Sequence, residues 1–162
     1  MKDNRIRFFD TTLRDGEQAP GYSMSHDEKT RMALQLESLG VDVIEAGFAV
    51  ASPGDFESVR QIARAVKGCT VASLARALEK DIDAAAEAVR EAAHPRVHTF
   101  LATSDLHLKS KLHMSRRDAL DRVKRMVAYA RRKCADVEFV AAFDVDAAKV
   151  GTDLAEMRCK IF

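Results

Sequence analysis

The densest chemistry in this chain lies in one short run, Asp10-Thr11-Thr12-Leu13-Arg14-Asp15-Gly16-Glu17-Gln18, where carboxylates, hydroxyls, a guanidinium and a carboxamide crowd beside a glycine that permits a tight turn. Glu45 stands in an apolar setting, Val43-Ile44-Glu45-Ala46. Burying such a carboxylate is costly unless a cation or a metal meets it, and Arg14 is the nearest candidate. His98 and Thr99, followed by Ala102-Thr103-Ser104-Asp105 and His107, form a third polar group. Each has a plain structural alternative: Arg14-Asp15-Gly16 as a surface turn, His98 as a hydrogen-bonded strand histidine, Glu45 as a structural ion pair. Acid, base and guanidinium groups brought together on one rim would be equipped for proton transfer and for stabilising charge.

Bringing them together is the task of the elements around them. Candidate strands are Ile6–Phe9, Val41–Glu45, Thr70–Ser73, Arg96–Leu101 and Val137–Phe143, rich in β-branched or aromatic residues and bounded by turn chemistry. Helical periodicity fills the gaps. Ser25 with Glu28 forms a capping box, then Met32, Leu36 and Leu39 share a face before Gly40. Ser52-Pro53 opens a helix with Phe56, Val59, Ile62 and Val66 on its apolar face and Gly68 as its C′ residue. Leu78, Ile82, Ala85 and Val89 mark a third helix, with Pro95 beyond it. Ser115 and Asp118 start a fourth, through Leu120, Val123, Val127 and Ala130 to the basic end Arg131-Arg132-Lys133. Strand-helix alternation with crossovers of this length predicts parallel βαβ units. The sheet is then either an open doubly wound one or the first part of a (β/α)8 barrel, which needs roughly 250 residues. Functional groups gather at the carboxyl ends of the strands in both. No GxGxxG follows the first strand and no P-loop occurs, so common nucleotide-binding forms of the open sheet lack support.

Composition sets outer bounds. The chain has 162 residues, 47% hydrophobic and 31% charged, as expected of one globular domain. Lys+Arg 26 against Asp+Glu 25 leaves a formal charge of +1, which argues against nucleic acid and anionic membranes as partners. The start carries no apolar signal region and no window approaches a membrane span, so a cytoplasmic location is expected. Cys69, Cys134 and Cys159 are too few and scattered for a disulfide framework and are expected to be reduced, buried thiols.

Three segments together make the chain recognisable: Phe9 through Gln18, Ile44-Glu45-Ala46-Gly47-Phe48, and Val97 through Ser104. They resemble the 2-isopropylmalate synthase family, in a barrel superfamily that also holds homocitrate and citramalate synthases and hydroxymethylglutaryl-CoA lyase. The resemblance spans about residues 4 to 139. It implies the first part of a (β/α)8 TIM barrel, about five parallel strands with four to five helices. It also implies an acyltransferase that condenses acetyl-CoA with the 2-oxo acid 2-oxoisovalerate, in leucine biosynthesis. Residue by residue, it makes Asp15 a ligand of a divalent metal cation, Mg²⁺ or Mn²⁺. Arg14 becomes the cation that stabilises charge on the reacting oxygens, Glu45 the group that orients it or a bound water, and His98 a wall of the 2-oxo acid pocket, with Gln18 and Arg76 at the same rim. Related readings are a homocitrate or citramalate synthase, a lyase sharing the first motif, or a non-catalytic half-barrel that self-associates into a homo-oligomer.

The resemblance stops after Phe139. Where the family carries a serine and a glutamate that reach substrate, this chain has Val140 and Ala142. The His-x-His pair of a later strand would lie beyond Phe162, as would the domains that follow, so a truncated chain inactive on its own is expected. Residues 1–139 thus form the expected partial barrel domain and residues 140–162 a divergent tail. The tail is similar to a strand and turn of the nicotinamide-binding domain of inositol-phosphate synthases. Lacking a glycine-rich first turn it is not expected to bind NAD, and Asp146 or Thr152 is the expected cap of a short helix.

Overall fold

The computed structural model describes residues 6–133 and 137–144. Along the chain come β1 (Phe9–Asp10), α1 (His26–Ser38), β2 (Val43–Gly47), α2 (Pro53–Ala65), β3 (Thr70–Arg76) and α3 (Glu79–Val89). Then follow β4 (Pro95–Ala102), a single turn α4 (Asp105–His107) running into a π turn (Leu108–Leu112), α5 (Arg116–Lys133) and β5 (Glu138–Asp144). The tail helix expected behind Asp146 or Thr152 lies outside the described residues.

All five strands pair in parallel and in chain order, β1-β2-β3-β4-β5. A doubly wound sheet reverses its order at a switch point, so this unbroken progression selects the barrel arrangement. Curvature agrees. In a flat sheet β1 and β4 would stand about 14 Å apart, yet the rings of Phe9 and His98 meet edge to face with centroids 5.4 Å apart. The sheet therefore bends strongly toward the face that bears Phe9, Glu45 and His98. Its convex face takes the helices: Ile44, Ala46 and Val71 pack with Val59, Ile62 and Val89 in the main core. A second cluster joins Ala75 and Val97 to Ile82, Ala85 and Ala130.

Local chemistry explains most of the boundaries. The Ser25 N–H donates to Glu28 Oε2 at 2.8 Å and the Glu28 N–H returns to Ser25 Oγ at 3.4 Å, a reciprocal box that opens α1. Gly40 closes it at φ 82°, where a side chain would be strained. Ser52 Oγ accepts from the Asp55 N–H at 3.0 Å ahead of α2, and Ser115 Oγ from the Asp118 N–H at 3.1 Å ahead of α5.

Several expectations need correction. The first strand is not Ile6–Phe9: only Phe9 and Asp10 join the ladder, because Phe8 gives its N–H to the Asp42 carboxylate instead, at 2.8 Å. Gly68 does not cap α2. That helix ends as Val66 turns extended, and Gly68 and Lys67 both donate their N–H to Glu37 Oε1. Leu39 is the C-cap residue of α1 and 71% exposed, since the buried face runs Lys29, Ala33, Leu36. Leu78 caps α3 from outside rather than packing within it. Leu120 is exposed because the buried stripe of α5 is one residue earlier, at Ala119, Val123, Met126 and Ala130. Cys69 is buried, and burial with the charges of Glu37 and Asp42 pushes its thiol up to about 11, too high for a reactive thiolate. Cys134 and Cys159 lie outside the described residues.

The ladder shifts register between Glu45 and Gly47, at the end of β2 that carries the buried carboxylate. A Cβ at Gly47, with φ 156°, would come within 3.0 Å of Val59 Cγ2. Gly47→Ala is expected to lose about 1–3 kcal/mol of unfolding free energy. Gly54→Ala, where the nearest atom is 3.6 Å away, should stay within about 0.5 kcal/mol, as chemical denaturation of both variants will show.

Candidate active site

The Asp10–Gln18 run leaves β1 and folds at once on itself. Thr11 O accepts the N–H groups of Arg14, Asp15 and Gly16 at 3.1, 2.8 and 3.1 Å. Asp10 Oδ1 takes the Thr12 N–H at 2.9 Å, an Asx turn that fixes the exit from the strand. Leu13 is driven into the core, so the neighbouring Arg14 emerges on the concave side. A 3-10 turn, Gly16–Gln18, completes the loop.

Arg14 meets Glu45 there. Its Nε donates to Glu45 Oε2 at 2.7 Å and its Nη1 to Asp15 Oδ1 at 2.8 Å. The other oxygen of Glu45 accepts from His98 Nδ1 at 2.5 Å, so one carboxylate joins the β1 loop, β2 and β4. Glu45 is fully buried. Burial pushes its carboxyl up, but the hydrogen bonds from His98 and Arg14, with their charges, outweigh it and hold the group below its ordinary value. The carboxylate therefore stays ionised and turns both neighbours into oriented donors.

In front of Arg14 lies a cleft of about 770 Å³, lined also by Gln18, Lys29, Phe48, Arg76 and Lys111. Of the residues singled out in the sequence, Arg14, Gln18 and Arg76 face this cleft, while Glu45 and His98 stand behind Arg14 and Asp15 sits beside it, 63% exposed. Arg76 is clamped by the buried Asp81, Nε to Oδ2 at 2.6 Å and Nη2 to Oδ1 at 3.1 Å. Its guanidinium also lies 5.5 Å over the Phe48 ring. Sequence reasoning passed over Lys29, which is buried on α1 and pairs with Glu17 Oε2 at 2.7 Å. A lysine on the inward face of an otherwise amphipathic helix was the available signal.

A divalent ion calls for about six oxygen donors, and even Mg²⁺ draws on one or two carboxylates plus substrate oxygens. Asp15 offers one carboxylate, with an oxygen already on Arg14, and among the described residues no three His, Cys, Asp or Glu side chains gather as a metal site. Among the described residues, these side chains alone do not make a metal centre.

A curved parallel sheet in chain order, with its polar cluster at the carboxyl ends of the strands, defines part of a β/α-barrel. The chain belongs to the HMGL-like family, which matches residues 5–158. A 2-isopropylmalate synthase of Pelotomaculum thermopropionicum is 61% identical over 137 residues, 85% of this chain and 27% of that protein. Another, from Listeria welshimeri, is 58% identical over 135 residues, 83% and 26% respectively. The chain thus spans about a quarter of the length of these relatives. Among solved structures, an HMG-CoA lyase of Bacillus subtilis shares the fold, with a TM-score of 0.72 and 20% identity over 97% of this chain and 55% of its own. A hydroxymethylglutaryl-CoA lyase of Pseudomonas aeruginosa gives 0.67 at 28% identity, over 86% and 46%.

A carboxyl held below its ordinary value stabilises the fold above that value, and the stability is lost as pH falls through the lowered one. Glu45 starts from 4.5, so acid unfolding should steepen below about pH 4.5 in the native chain. Glu45→Gln is expected to cost about 1.5–3 kcal/mol at neutral pH and to flatten that acid limb, read by denaturation at a series of pH values.

Proposed function

We propose that this chain supplies the N-terminal part of a 2-isopropylmalate synthase-type active site, one that condenses acetyl-CoA with 2-oxoisovalerate to give 2-isopropylmalate and free CoA. The observation that carries the reading is Arg14, held by a buried carboxylate at a cleft, in a chain 61% identical to such a synthase. Attack on the 2-oxo carbonyl builds negative charge on its oxygen, and a permanently charged guanidinium pre-aimed by Glu45 lowers the cost of that charge. His98 gives Nδ1–H to Glu45, which fixes its ring as part of the wall behind the reacting group. Gln18 and Arg76, both on the cleft, suit the carboxylate of the 2-oxo acid. By the same resemblance Asp15 would be a ligand of a Mg²⁺ or Mn²⁺, which would supply Lewis-acid polarisation of the carbonyl when bound.

The rest of the reading follows from the same resemblance. We assign residues 1–139 to the partial barrel domain and residues 140–162 to a divergent tail whose first residues complete β5. Among the described residues no helix is long and apolar enough to cross a membrane, and we place the reaction in the cytoplasm. Titration calorimetry of the chain should show 2-oxoisovalerate binding more tightly than pyruvate or 2-oxoglutarate. Arg14→Ala should weaken it about 10- to 100-fold. Preference for 2-oxoglutarate would favour a homocitrate-type site, and indifference to Arg14→Ala would remove Arg14 from the site.

One observation supports self-association as a second reading. β1 forms an edge of the sheet, and Phe9 within it, with Ile6 and Phe8 just before it, are 42%, 77% and 64% exposed. Light scattering should then give about twice the chain mass of 17.9 kDa, falling to the monomer in Phe8→Lys. A monomer in the unmodified chain would contradict pairing.

A further inference from the structure

Among the described residues, four cations line the cleft in front of Arg14: Arg14, Lys29, Arg76 and Lys111. Three already hold carboxylates: Arg14 those of Glu45 and Asp15, Lys29 that of Glu17, Arg76 that of Asp81. Lys111 has no hydrogen-bond or ionic partner among the described residues. Asp55, another charge on the lining, takes the Ser52 hydroxyl at 2.6 Å at the start of α2. Among the described residues, the lining therefore carries one cation whose charge no side chain answers.

Its placement is built rather than loose. Lys111 belongs to the π turn Leu108–Leu112, a rare geometry that recurs at functional sites. Leu108 is buried and Leu112 packs against the same cluster with Leu101 and Ala119, so both ends of the turn are anchored in the core. The Met114 N–H donates to Leu108 O at 3.1 Å, and His113 closes the turn in the left-handed region at φ 50°. With its leucines turned inward, the turn leaves Lys111 exposed on the cleft. Arg14 is deeper, its side chain 21% exposed and backed by fully buried Glu45.

We infer that Lys111 is an anion anchor at the outer end of the cleft and takes a phosphate of the nucleotide-bearing co-substrate while the reacting end lies against Arg14. The inference rests on the acyl-CoA reading above. Depth decides between the two sources of anionic oxygen. A 2-oxo acid is short, and its carboxylate must stay beside the carbonyl that Arg14 serves. Coenzyme A is long, and its phosphates lie far from the thioester, where an exposed ammonium can meet them as a point charge.

The test is titration calorimetry of the chain and its Lys111→Met, Lys111→Gln and Lys111→Arg variants with CoA, pantetheine and 2-oxoisovalerate. Lys111→Met and Lys111→Gln should bind CoA about three- to tenfold more weakly, with a shallower dependence on salt. Lys111→Arg should stay near the original, and affinities for pantetheine and 2-oxoisovalerate should not change. Unaltered CoA affinity in both neutral variants would overturn the inference and leave the proposed function standing. Weakened 2-oxoisovalerate with unchanged CoA would overturn it too, by moving the anchor to the carboxylate. If the original chain binds neither CoA nor pantetheine, the acyl-CoA reading itself falls, and this inference with it.

Discussion

A carboxylate stripped of water sits at the centre of this structure. Glu45 is fully buried, and an ion in that position is tolerated only where charge and hydrogen bonds replace its hydration. Arg14 supplies one side and His98 the other, at 2.7 and 2.5 Å. Because these donors come from the loop after β1 and from β4, the acceptor on β2 can be satisfied only if the sheet curls around it. Phe9 against His98 at 5.4 Å is the apolar counterpart of the same closure. Fold curvature and site geometry are thus one constraint, and the register shift after Glu45 lies at its edge.

Charge compensation of this kind spreads outward from Glu45. Lys29 on α1 ties down Glu17 of the Asp10–Gln18 loop, so the loop is held from behind as well as by its own Thr11 carbonyl. Asp81, buried at the start of α3, draws Arg76 along the strand end and over Phe48. These clamps limit the rotamers of side chains that must wait, pre-aimed, for a ligand, which is the physical content of preorganisation. Lys111 differs in having a pinned backbone and a charge that no described residue pairs with.

What could be read from the sequence followed the range of the interaction. Caps at Ser25, Ser52 and Ser115, the turn at Gly40 and the order of strands and helices depend on residues within a few positions, and these were legible. So was the need of Glu45 for a cation, because an acid among Val43, Ile44 and Ala46 demands one. The bond from His98 to Glu45 was not, since it spans 53 positions and requires curvature that no local pattern encodes. Arg76 was read as a rim residue without Asp81, whose burial at a helix start was invisible. Leu39, Leu78 and Leu120 fit a period of 3.6, but α1 ends before Leu39, α3 begins after Leu78, and α5 is rotated by one residue at Leu120. Lys111 gave no signal at all, because only the π turn brings it to the cleft.

The Glu45–His98 bond can be observed directly by ¹⁵N NMR of histidine-labelled chain at neutral pH. An ionised carboxylate only accepts, so the account predicts that His98 Nδ1 carries a proton, with a ¹⁵N shift that moves in Glu45→Gln. A His98 ring protonated on Nε2 alone, and unresponsive to Glu45→Gln, would contradict the buried carboxylate as the hub of fold and site.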